Sequence, residues 1–144
     1  MPSDTIALAS DHAGVELRRA LKEALEARGL PTLDLGADGA GPVDYPDMAD
    51  AVAAALADGR AGRGVLVCGS GVGISIAANR HRHVRAALCH DGDGARLARQ
   101  HNDANVLALG ARVVGPETAR ACLDAFLDTP FEGGRHARRV EKLG

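Results

Sequence analysis

Residues 65–80 read VLVCGSGVGISIAANR: an apolar run closing on Cys68, a loop with glycine at 69, 71 and 73, and then a stretch of helical character. An apolar run of strand length, broken by glycines and followed by a helical pattern, is the pattern of a β-to-α connection. The alternation extends in both directions. TIALAS (5–10) is a short strand-like run, and VELRRALKEALEARG behind it places Leu17, Leu21 and Leu25 with Ala20 and Ala24 on one face before stopping at Gly29. LPTLDLG (30–36) reads as a second strand; a loop rich in Gly, Pro and Asp leads to a helix through DMADAVAAALADG. Downstream, VRAALC (84–89) and NVLALG (105–110) read as strands four and five. DGARLARQH (93–101) and PETARACLDAFLD read as helices, the second with Pro116 in its first turn. A basic final helix is expected over about 134–143.

Strands alternating with helices predict a three-layer, Rossmann-like α/β fold with a five-stranded, mainly parallel sheet, because parallel neighbours need a crossover and the helix supplies it. At 144 residues the chain fits one domain, 1–144. It has two Phe, one Tyr and no Trp, so Ala, Leu, Val and Ile must build a core of small, closely packed pieces. The net charge of −2 is spread without a block of one sign, which argues against nucleic acid as a partner. No basic leader and no apolar run of bilayer length is visible, so a soluble, cytoplasmic protein is expected. The three cysteines are odd in number and form no C-x-x-C pair, so neither a disulfide framework nor a zinc knuckle is indicated. Cys89 and Cys122 read as small buried hydrophobes.

In such sheets ligands gather beyond the carboxyl ends of the strands, near the point where strand order reverses. Asp11 and His12 follow the first strand, Cys68 and GSGVG close the third, His90 and Asp91 follow the fourth, and Arg112 follows the fifth. Innocent readings stand beside each: Asp11 suits a helix cap and His12 a solvated turn. The glycine spacing G-x-G-x-G misses the dinucleotide fingerprint, whose third glycine would replace Ile74, and the G-K-[ST] ending of a phosphate loop is absent. Asp91, about twenty residues on, keeps a non-catalytic nucleotide-binding domain open as an alternative. Cys68 immediately before the loop points elsewhere. Backbone N–H groups at a helix start favour anions and a neighbouring thiolate, and the same donors suit an oxygen that becomes negative during reaction. Aldose–ketose isomerisation needs that kit: a carbon base, an oxyanion cradle, an acid for hydroxyl protons and, for a phosphorylated sugar, a cationic clamp. GGRHARR offers Arg135, Arg138 and Arg139 for the clamp, with a solvated basic face as the equal alternative.

ASDHAG, DYPD, VCGSGVGISIAANR, RQHNDANVLALGARVVG and FEGGRHARRVE together resemble the type B ribose-5-phosphate isomerases and their relatives, the galactose-6-phosphate isomerase subunits, over residues 5 to 142. The resemblance implies that Cys68 removes the carbon-bound proton while Gly69, Ser70, Gly71, Val72 and Gly73 hold the enediolate oxygen. It assigns His101 as proton donor in ring opening, Asp11 as a sugar contact, Asn102 as a sugar or oxyanion contact, and Tyr45 as a pocket wall. His12, Arg112, Arg135 and Arg139 fall in the phosphate and substrate-binding set. Another branch carries a glutamate where this chain has Ile74; Cys68 marks the cysteine branch, and Ser70 replaces the frequent threonine with its hydroxyl kept. The substrate implied is ribose 5-phosphate and ribulose 5-phosphate, with a six-carbon sugar phosphate (allose or galactose 6-phosphate) as the alternative. No metal or organic cofactor is implied; a homodimer or homotetramer with shared sites is. His81 and His83 are expected in a solvated turn, and His136 facing solvent between the arginines.

Overall fold

The computed structural model describes residues 3–144. Among them β1 (Ile6–Ser10), β2 (Thr32–Asp34), β3 (Arg63–Cys68), β4 (Ala86–Leu88) and β5 (Val106–Gly110) form one sheet in the order β2-β1-β3-β5-β4. Every pairing is parallel, which sharpens the expected mainly parallel sheet to an all-parallel one. The helices are α1 (Val15–Ala27), α2 (Tyr45–Ala57), α3 (Val72–Ala78), α4 (Gly92–Asn102), α5 (Pro116–Asp128) and α6 (Arg135–Glu141). A single 3-10 turn, His12–Gly14, joins β1 to α1.

Alternation along the strands sorts the core into two layers. Ile6, Leu8, Val65, Val67, Leu107 and Leu109 face Leu21 and Leu25 of α1 and Leu123 and Phe126 of α5. Their neighbours Ala7, Ala9, Leu66, Cys68 and Ala108 face Ala49, Val52 and Ala53 of α2 and Ile74 and Ala78 of α3. The second layer is built of small side chains, and the helices lie close: a methyl placed on Gly64 would stand 2.5 Å from Val52 Cγ1.

The outer strands are shorter than the sequence predicts, 32–34 against 30–36 and 86–88 against 84–89. Each pairs on one side only, and apolar flanking residues extend the pattern without gaining a ladder. Two helices begin earlier than expected. Gly71 takes the left-handed backbone at φ 81°, ending the loop so that Val72 and Gly73 enter α3. Tyr45 and Pro46 open α2, where the missing proline N–H has no helical partner to lose.

The strand order reverses beside β1, whose neighbours are β2 and β3, so the carboxyl ends of β1 and β3 stand together with Ser10 opposite Val67. Arg18 braces that corner from α1. It is 2% exposed; its Nη1 donates to Ser10 Oγ at 2.7 Å and its Nε lies 3.2 Å from Asp34 Oδ1. Burial lowers the pKa of this guanidinium and Asp34 opposes the shift.

Candidate active site

Cys68 ends β3 on the α2–α3 side of the sheet and is 4% exposed. The chain then doubles back so that the Gly71 N–H donates to Cys68 Sγ at 3.2 Å. Only glycine fits at 71: beyond its positive φ, a Cβ there would lie 2.5 Å from Leu88 Cδ1 and 2.8 Å from the Leu109 carbonyl carbon. Ser70 Oγ accepts from the Val72 N–H at 3.1 Å. Tyr45, from the first turn of α2, lays its ring over Gly73, where an added methyl would come within 2.6 Å of Cζ. Arg112 overhangs the other side of the loop. Its N–H donates to Gly69 O at 2.9 Å, and its Nη1 would be 3.2 Å from a methyl on Gly69.

The end of β1 completes this group. The Asp11 N–H donates to Val67 O at 3.1 Å, bridging the two strand ends. Asp11 is buried, and its Oδ1 accepts from the N–H groups of Ala13 and Gly14 at 3.0 and 3.2 Å, so the capping role read from sequence is real. His12 is exposed, and its Nδ1 accepts from the Val43 N–H at 3.3 Å. Cys68, Gly69, Ser70, Gly71, Val72, Gly73, Asp11, His12, Tyr45 and Arg112 are thus gathered around the ends of β1 and β3.

His101, Asn102, Arg135 and Arg139 are not among them. α4 starts beyond the carboxyl end of β4 and finishes at Asn102, just before β5 begins at Val106. Since Val106 pairs with Gly64 and Gly110 with Cys68, about 13 Å of strand rise lies between the amino edge where α4 ends and the sulfur. At that edge the rings of His101 and His136 stack with centroids 4.4 Å apart and planes 17° from parallel. Glu132 Oε1 lies 3.7 Å from Nε2 of both. His136 is therefore 8% exposed rather than solvent-facing. Gly133 and Gly134, at φ 67° and 56°, turn the chain so that α6 folds back on α4, and the Glu132 N–H donates to Gln100 O at 3.1 Å. Desolvation first, then His101 and Arg135, lowers the pKa of the His136 imidazole. The donor atoms of His101, Glu132 and His136 lie within 4.8 Å of one another, but near-parallel rings hold their in-plane lone pairs side by side instead of converging them on one tetrahedral centre.

The remaining polar candidates have local duties. Asp91 Oδ1 caps α4 by accepting from the Gly94 N–H at 2.7 Å. His81 meets Asp50 at 2.7 Å and His83 meets Ala53 O at 2.8 Å, so the expected turn is pinned to α2. Burial pushes the Cys89 thiol up to about 12 and raises that of Cys122 as well, in keeping with their reading as buried hydrophobes. No helix of the described residues is long and apolar enough to cross a membrane.

A family model, Ribose/Galactose Isomerase, matches residues 6–143. The chain belongs to this family. Ribose-5-phosphate isomerase B of Escherichia coli (strain K12) is 47% identical to it over 138 residues, 96% of this chain and 93% of that protein. D-erythrulose-4-phosphate isomerase of Pectobacterium atrosepticum is 45% identical over 142 residues, 97% of this chain and 93% of that protein. The solved structure of Clostridium thermocellum ribose-5-phosphate isomerase B superposes with a TM-score of 0.95 at 48% identity, covering 97% of this chain and 95% of that one. In this member of the ribose/galactose isomerase family, the sequence gives no reading of Glu132 and expects His136 in solvent, whereas the structure sets both against His101. The signal available was EGGRH itself: two adjacent glycines between an acid and a histidine mark a sharp return of the chain.

Proposed function

We propose that the chain is a cofactor-independent aldose–ketose isomerase that interconverts ribose 5-phosphate and ribulose 5-phosphate, the whole of 1–144 working as one domain. The observation that carries this reading is Cys68 at the reversal point of a parallel sheet, with a backbone N–H directed at its sulfur and a loop of glycines beside it. His101 gives a proton to the ring oxygen as the anomeric hydroxyl passes its own to solvent water, and the furanose opens to the aldehyde. The Cys68 thiolate then takes the proton from C2. The C–H electron pair forms the C1–C2 double bond, and the carbonyl oxygen becomes the enediolate oxygen that N–H groups of the Gly69–Gly73 loop receive. A proton passes from the C2 oxygen to the C1 oxygen, and the Cys68 thiol returns its proton to C1, leaving the ketone at C2. Asp11, Asn102 and the Ser70 hydroxyl hold sugar oxygens, Tyr45 closes one wall, and His12, Arg112, Arg135 and Arg139 bind the phosphate by charge-assisted hydrogen bonds.

One copy cannot bring His101 to Cys68, so the functional unit proposed is a homodimer, or a tetramer made of such dimers, in which a second copy supplies His101, Asn102, Arg135 and Arg139. Exposed Ile76 on α3 and Leu97 on α4, flanking the half-covered edge strand β4, support an apolar contact there. Buried unpaired thiols suit the reducing cytoplasm.

Purified protein is expected to isomerise ribose 5-phosphate, and Cys68→Ala to lose about a thousandfold or more in kcat while still binding the sugar phosphate by calorimetry. Turnover surviving that change removes the thiol from its role. Mixing Cys68→Ala with His101→Ala should restore activity in about a quarter of the sites of a randomly reassorted twofold dimer, because each mixed dimer has one intact site. No recovery would place both residues in the same copy's site. Comparing kcat/KM on ribose 5-phosphate, allose 6-phosphate, galactose 6-phosphate and erythrulose 4-phosphate fixes the substrate.

A further inference from the structure

His101 lies at the exposed end of α4, its side chain 40% accessible, and the outer torsion of a histidine is broad and nearly two-fold. A proton donor there needs its ring plane fixed by something else. His136 is the fixed partner: its side chain is 10% accessible and its ring covers one face of the His101 imidazole at 4.4 Å. Glu132 is held by its own N–H on the last turn of α4, and its Oε1 draws the Nε2 edges of both rings to one side from 3.7 Å. We propose that His136 and Glu132 are positioning residues for His101, the first setting the plane of the donor ring and the second its rotation within that plane. This rests on the reading of His101 as the ring-opening donor.

The geometry separates this role from a merely structural one. α6 also carries Arg135 and Arg139, the proposed phosphate ligands. If His136 only anchored α6, its loss would displace those arginines and raise KM. If it holds the His101 ring, kcat falls and KM stays.

The test uses full-length His136→Ala, His136→Phe and Glu132→Gln, with kcat and KM measured on ribose 5-phosphate and the His101 ring signals followed by NMR on histidine-labelled protein. His136→Ala should lower kcat about tenfold or more with KM within about twofold, and His136→Phe, which keeps a flat platform, should recover most of the loss. The His101 ring signals should move from their wild-type positions in the alanine variant and in Glu132→Gln. Wild-type kcat in His136→Ala, a KM effect alone, or a phenylalanine variant no better than alanine overturns the proposal. Should the alanine variant fail to fold, Glu132→Gln decides, since Glu132 is exposed: unchanged His101 signals and unchanged kcat overturn it. Absence of ribose 5-phosphate turnover in the wild type refutes the isomerase reading instead, and the NMR comparison still tests whether the stack positions the His101 ring.

Discussion

Gly73→Ala separates stability from catalysis. Gly73 is the second residue of α3, and replacing glycine by alanine within a helix stabilises by about 0.5–1 kcal/mol. The new methyl would stand 2.6 Å from Tyr45 Cζ, 2.7 Å from Cε1 and 3.0 Å from Oη, against 3.4–4 Å for ordinary contact. The ring must withdraw by about 1 Å to reach normal contact distance. It is free to do so, because Tyr45 opens α2 and is 41% exposed. Net stability should therefore hold or rise, by up to about 5 °C in Tm for a domain of this size. Catalysis should not. If Tyr45 lines the sugar site beside the proposed oxyanion loop, a displacement of its ring by about 1 Å is expected to cost about ten- to a hundredfold in kcat/KM for ribose 5-phosphate. Differential scanning calorimetry and a ribulose 5-phosphate assay read the two effects. A variant with raised Tm and full activity would show that Tyr45 does not line the sugar site, and a Tm lowered by several degrees would show that backbone, not the ring, absorbs the clash.

Two further expectations follow from the ionisable groups. Arg28 pairs with Asp124 and Asp128 on α5, and the hydrogen bond from Arg28 holds the Asp128 carboxyl below its usual range. A depressed carboxyl stabilises the fold above its unfolded pKa of about 3.9 and ceases to do so as pH falls through the folded value, so Asp128→Asn should cost less than about 1 kcal/mol at pH 7 and progressively less as the pH falls into the acid range; a deficit that grows toward acid in urea titrations would contradict the assignment. Because burial raises the Cys89 and Cys122 thiols, native protein treated with iodoacetamide near pH 8 should be modified at Cys68 first, with ribose 5-phosphate protecting it; mass spectrometry finding Cys89 or Cys122 modified first would reverse that order.

Local chemistry made much of this architecture legible. The apolar run that stops at Cys68 is bounded by glycines on its far side, and the bounds of α5 follow from Pro116 and an amphipathic repeat, so both were readable without tertiary information. Apolar pattern does not reveal how many neighbours a strand has, so the sequence predicts longer edge strands than the sheet holds. His136 departs from its sequence expectation for a related reason. Placed between arginines it looks solvated, and only the backward turn at Gly133 and Gly134, together with the docking of α6 on α4, puts it under His101. Asp11 suits either a cap or a ligand in sequence; it does cap, through Oδ1, which leaves its second oxygen available to the proposed sugar contact.

The separation of Cys68 from His101 has a topological cause. In an all-parallel sheet every strand ends on one edge, and every helix that follows must run back to the other before the next strand starts. A residue at a strand's carboxyl end, such as Cys68, and one in the last turn of a returning helix, such as His101, are therefore held at opposite edges of the same subunit. Lengthening a loop would not unite them, because the strand itself sets the distance. Placing the proposed carbon base on the sheet, and the proposed proton donor on a helix end that α6 packs against, leaves neither half sufficient by itself. Under the proposed mechanism, association of two copies is then a step in building the catalyst, and the exposed flank of β4 is as much a part of the enzyme as the thiol.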